Sequence, residues 1–243
     1  MADSARSRQS ALQRVCPLGC GSAQPARREG MMATRNPRGA AGRTPKSTPR
    51  RFFEITPNLR FQTAAGFSLE NGSALLLKGQ AILEPGRRGF PNYPEPPRIV
   101  IDPKLGRHPS DFEEYREYWL ISDRLREVLE AVDSEGCAFV KCDVRHSRGQ
   151  PEQGHWLFDV LRMLDAVVES ASRIMIIDAD GRGRKHCRLA GGAQITFRPD
   201  VVDQAHIFRL AFGPGYIFCD EQLEQACKHA GIKGISFKDA ANL

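Results

Sequence analysis

Twice along the chain an apolar run ends in a capping residue, passes into an amphipathic stretch, stops at glycine and resumes as a second apolar run. The first copy reads Tyr118-Trp119-Leu120-Ile121-Ser122, then Asp123 to Val132, then Gly136-Cys137-Ala138-Phe139-Val140. The second reads Tyr216-Ile217-Phe218-Cys219-Asp220, then Glu221 to Ala230, then Gly231 and the run ending Gly234-Ile235-Ser236-Phe237. Ser122 and Asp220 have the short oxygen-bearing side chains that cap helix N-termini, and Leu125, Val128, Leu129 and Val132 recur at helical spacing. Each copy therefore predicts strand, helix, strand.

Elsewhere the pattern is mostly that of strands. Structure is expected to begin at Arg51-Phe52-Phe53-Glu54-Ile55. Short strands are expected at 59–61, 74–77, 81–83 and 99–101, with an extended proline-rich loop over 85–97. Residues 137–144 read as one strand, 155–168 as a strand passing into a short helix, and 173–178, 194–197 and 206–210 as further strands. The fold class that follows is α+β, with mixed sheets and two repeated strand–helix–strand units. The expected organisation is a disordered basic tail over 1–51, a β-rich N-terminal subdomain over 52–111 and an α+β domain over 112–243.

Charge sharpens that division. Residues 1–51 hold eleven Lys or Arg against Asp3 and Glu29, a net of +9, so the formal +6 of the whole chain leaves residues 52–243 at −3. The tail's basic residues are diffuse and lack interleaved aromatics, which argues against nucleic-acid binding. No stretch approaches the roughly 18 apolar residues of a membrane span. Seven cysteines at irregular spacings fit reduced thiols in a cytoplasm better than a disulfide framework.

Candidate chemistry is sparse. Cys137, Cys142 and His146 suggest zinc, but no second knuckle completes the set. Asp178-Ala179-Asp180-Gly181 resembles the opening of a calcium loop, yet Arg182 and Leu189 stand where oxygen ligands belong. His155, His206 and His229 each suit structural roles, and phosphate-cradling or nucleophile-elbow motifs are absent. No catalytic, cofactor or metal site is expected. The acidic and aromatic segment holding Asp111, Glu113, Glu114, Tyr115, Glu117 and Trp119 is either a solvated face or a docking face for a basic partner.

The strand Tyr118 to Ser122, the helix Leu125 to Leu129, the run Leu157 to Asp165, the strand His206-Ile207-Phe208-Arg209-Leu210 and the ending Ala230 to Phe237 resemble the eleventh family of immunity proteins of bacterial polymorphic toxin systems, of myxobacterial type. The likeness covers about residues 112–238. Val168 stands where members often carry a second aspartate after the one matching Asp165. The resemblance implies a protein that binds and blocks a cognate toxin encoded nearby, one-to-one or as a homodimer, with no catalytic residues. The alternative is an enzyme that reverses a toxin's modification, which a cleft shared by His155, His206 and Asp165 would favour.

Overall fold

A computed structural model of the protein describes residues 50–58, 63–72, 88–116, 118–152, 154–178, 181 and 185–243. Residues 1–49 of the expected tail, the strands at 59–61, 74–77 and 81–83, and Glu117 lie outside them, while Arg50 and Arg51 are placed and pair with Asp220 and Asp239. The fold is α+β.

The first repeat forms the hairpin β4 (Phe112–Tyr115) and β5 (Tyr118–Ser122), the helix α1 (Asp123–Asp133) and the strand β6 (Cys137–Lys141). The second forms the hairpin β13 (Ile207–Leu210) and β14 (Gly213–Asp220), the helix α3 (Glu221–His229) and β15 (Ile235–Asp239). Both helices start as the sequence predicts: Ser122 Oγ accepts Leu125 N at 3.3 Å, and Asp220 Oδ1 accepts Leu223 N at 3.1 Å.

In neither repeat do the strands flanking the helix pair with each other. An antiparallel strand from elsewhere lies between them: β9 (His155–Val160) in the order β4-β5-β9-β6, and β1 (Phe52–Pro57) in the order β13-β14-β1-β15, with β10 (Met163–Leu164) added parallel to β13. The two sheets therefore share one topology. Their hydrogen bonds agree as well, since Ser122 N donates to Asp111 O and Asp220 N to His206 O, while Asp123 N donates to Gly154 O and Glu221 N to Arg51 O. Asp111 is thus equivalent to His206, and His155 to Phe52.

A third sheet, β2 (Phe67–Leu69), β3 (Arg98–Ile101), β7 (Asp143–His146) and β8 (Pro151–Glu152), covers the outer face of the first. Between these two lies a cluster built on Ile99, Ile101, Leu120, Val144 and Leu157. The central cluster draws Phe53, Ile55, Ile207 and Ile217 from the second sheet, Ile121, Phe158 and Val160 from the first, and Leu125, Leu129, Leu223 and Cys227 from the helices. Phe208, Leu210 and Phe218 face a third cluster, closed by Ile195, Phe197, Val202 of the short helix α2 (Pro199–Val202), and Cys187 of the hairpin β11 (Met175–Asp178) and β12 (Lys185–Arg188).

Several expectations change for one physical reason, that the sheets are covered on both faces. The run from His155 is buried on both sides as β9, then continues through β10 to a 3-10 turn at Glu169–Ala171 with no helix between; continuous apolarity marked a covered strand. Residues 137–144 divide at Cys142 into strands of different sheets. Residues 194–197 make only isolated bridges, Arg173 to Gln194 and Val167 to Phe197, while burying Ile195 and Phe197. Residues 52–111 do not stand apart: β1 is interior to the second sheet, β3 pairs with β7, and Ser47–Leu243 forms one compact unit.

Leu125 and Leu223 occupy equivalent places and are each 1% exposed. Leu125→Ala and Leu223→Ala are each expected to cost about 2–5 kcal/mol. Because the central cluster is common to both repeats, urea unfolding of each variant is expected to keep one transition. Separate melting of the repeats would contradict the shared core.

Candidate functional site

The segment singled out by sequence is largely turned inward. Asp111 accepts Ser122 Oγ and Lys233 N, both at 2.7 Å, and so ties β5 to the loop before β15. Glu113 is buried and receives both terminal nitrogens of Arg107, at 2.6 and 2.9 Å, and Ser110 N at 2.6 Å. Burial raises its pKa, but Arg107 and Ser110 outweigh that and hold the carboxyl below its ordinary range. Trp119 is half-buried, stacked on Phe112 and lying under the Arg209 guanidinium at 4.7 Å. Glu114 is exposed, and Tyr115 is half-buried against Phe67.

The strongest electrostatic feature is one the sequence reading assigned no role. Asp159, 0% exposed on β9, pairs with Arg88 and Arg209, whose side chains are 3% and 2% exposed. Gly89 N donates to its second oxygen at 2.7 Å. Arg209 reaches it from β13 while also donating to Val160 O and Pro214 O. Burial lowers the Arg209 pKa to about 10, still charged at neutral pH. The available signal was a charged residue inside each of two otherwise apolar strands, which in a core demands a partner.

Asp133 makes a second tie between the repeats. At the end of α1 it accepts Gly136 N, His206 N at 2.8 Å and Ile207 N, and pairs with Arg162. Burial raises its pKa, but Arg162 and the β13 amides hold it below the ordinary value of 3.8.

His155, His206 and Asp165 do not share one cleft among the described residues. His206 Nδ1 lies 2.8 Å from Asp220 Oδ2, the geometry of a general-base pair, but that oxygen also receives Arg50 Nε at 2.9 Å while the other caps α3. His206 faces a cleft of about 530 Å³ with Arg50 and Gln222. His155 faces a different cleft, of about 420 Å³, with Asp111 and Asp123, and Asp165 lines a third space beside Leu164 and Ile176. His229 Nδ1 lies 2.8 Å from Gln225 O, one turn back along α3. A concavity of about 750 Å³, lined by Phe52, Ile195, Phe197 and Val202, carries the Arg51–Asp239 pair at its edge.

Burial raises the thiol pKa of Cys137, Cys142 and Cys227 to about 12, which leaves these groups protonated and unreactive at neutral pH. Among the described residues, no set of three His, Cys, Asp or Glu is placed to hold a metal ion, and no helix is long and apolar enough to cross a membrane.

A family model described as Immunity protein family (Imm11) matches residues 35–242. The match extends well beyond the 112–238 expected from sequence motifs and takes in β1 and the third sheet. No curated protein matches the chain.

Asp159→Asn removes a charge between two buried guanidiniums and is expected to cost about 3–5 kcal/mol in urea unfolding. Acid titration tests the other carboxylates. The folded-state pKa values of Asp133 and Glu113 lie below their ordinary 3.8 and 4.5, so their stabilisation is complete above those values and is lost as pH falls through the folded ones. Urea midpoints are expected to drop below about pH 4.5, and less steeply in Asp133→Asn.

Proposed function

Because the chain belongs to the Imm11 immunity protein family, we propose that it protects its producer by binding a cognate toxin encoded nearby and blocking it without chemistry of its own. The observation that carries this reading is the extent of the family match, 35–242, which spans both repeats and the sheet that covers the first. The geometry supports occlusion over catalysis: the His206–Asp220 pair serves a helix cap, His155, His206 and Asp165 face separate spaces, and the thiols among the described residues are buried.

The partner is a toxin with a basic surface, met in the bacterial cytoplasm by this chain alone or as a homodimer. Residues 52–243 carry a net −3, which suits electrostatic attraction to such a surface. Within 111–119, Glu114 and the accessible parts of Tyr115 and Trp119 form the contact, while Asp111 and Glu113 fix the backbone that presents them.

The test is growth of bacteria expressing the product of the neighbouring reading frame, with and without this chain. Rescue together with copurification of a stoichiometric complex is the expected outcome. Rescue by substoichiometric chain with no complex would favour enzymatic reversal, and failure to rescue would remove the immunity reading. For the complex, the association rate is expected to fall as salt rises from about 0.05 to 0.5 M. An unchanged rate would remove the charge argument.

A further inference from the structure

We propose that the outer face of the β11–β12 hairpin is a docking surface for an acidic protein segment that also carries aliphatic side chains. The proposal goes beyond the immunity reading and does not depend on it.

The hairpin has two unlike faces. Its register sets Met175 opposite Arg188, Ile176 opposite Cys187, Ile177 opposite His186 and Asp178 opposite Lys185, and cross-strand partners share a side. Cys187 is 2% exposed and lies with Ile176 beside Leu164 and Leu210, which makes that side the inner one. Lys185 belongs to it as well, paired with Glu169 and set over the Phe212 ring. The other side carries Met175, Ile177, His186 and Arg188, with Arg173 in phase two residues before Met175. Met175 is 53% exposed, a degree of exposure that only Leu105 matches among the large apolar residues described.

Charge decides what covers this face. Arg98, Arg145 and Arg198 are well exposed and still meet carboxylates. Arg173 and Arg188 are exposed and have no ion pair among the described residues. The acceptors around them are already engaged: Glu169 by Lys185, and Leu243 O by the Gly192 amide at 2.6 Å, while Asp178 is on the inner side and has a partner there. From Arg173 to Arg188 the sequence holds five Lys or Arg against Asp178 and Asp180, a net of +3, whereas the rest of residues 52–243 carries −6. A positive patch on an otherwise acidic body selects an acidic partner. Met and Arg are enriched where proteins meet and Lys is depleted, which is the composition of this face.

Other occupants fit less well. A second copy docked on the same face about a two-fold axis would set Arg173 and Arg188 against their own counterparts. Nucleic acid would find no aromatic ring on which to stack. The second sheet and the central cluster lie between this hairpin and the first sheet, which carries Glu114 and Tyr115, so the segment leaves that contact free.

The experiment titrates acetyl-Glu-Glu-Leu-Leu-Glu-Glu-amide, which presents a leucine between two carboxylates on either side of an extended chain, into the full-length protein. NMR follows the Met175 methyl group and the Arg188 amide, so that any capture of the peptide by the basic residues 1–51 is read separately. A saturable shift at both groups is expected, at least tenfold weaker in Arg173→Gln/Arg188→Gln and weaker again as salt rises from about 0.05 to 0.5 M. Both arginines are exposed, so the urea midpoint of that variant is expected to stay unchanged; Met175→Glu, read at the Arg188 amide, is a second variant expected to lose the shift. No saturable shift, an equal response to the glutamine analogue of the peptide, or full affinity in both variants would overturn the proposal. A tighter response at Met175 to duplex DNA or to phosphatidylglycerol vesicles, or a shift that follows protein concentration alone, would also overturn it. The toxin is absent from every arm, so these failures leave the immunity reading standing.

Discussion

A carboxylate with no exposed surface stays ionised only if the protein replaces the water it has lost, and Asp159 is replaced on three sides. Arg209 comes from the second sheet, Arg88 and the Gly89 amide from the loop that approaches β9, and the carboxylate itself belongs to the middle of the first sheet. Two guanidiniums on one carboxylate leave a net positive charge in the interior, and the ring of Trp119 below Arg209 offsets part of it. Such a cluster contributes less to net stability than to uniqueness, because an arrangement that separates its members strands a buried charge. It therefore ties the first sheet, the second sheet and the loop of Arg88 and Gly89 to one another.

Around that point the chain has built one idea twice. A hairpin, a capped helix and a returning strand leave a gap one strand wide, and a distant segment fills it. Asp133 then spans from the end of the first helix to the start of β13, so the repeats are joined by a second polar tie beside a common apolar core. Occlusion of a toxin, as proposed above, would gain from this rigidity, since little conformational freedom remains to be lost on binding.

What could be read from sequence was what is local. The caps at Ser122 and Asp220, the glycine stops and the helical spacing of Leu125 and Leu129 are written within a dozen residues, and the structure places them as expected. The filling strands were out of reach because nothing in Phe52–Pro57 names β14 and β15 as neighbours. Asp159 and Arg209 stood in plain view inside apolar strands, but their meeting depends on three segments far apart in the chain. The inward part of the acidic segment was hidden for a related reason, since Asp111 and Glu113 look solvated until Arg107, Ser110 and Lys233 are brought to them.

The insertion of β1 between β14 and β15 also sets a timetable for the living cell. Phe53 is translated well before Cys219 and Asp239, with which it pairs, so the second sheet cannot close until Ile235–Asp239 has been made. At bacterial elongation rates of about 5–20 residues per second, that wait is on the order of ten to forty seconds. On the immunity reading proposed above, protection against a toxin made at the same moment waits for that strand.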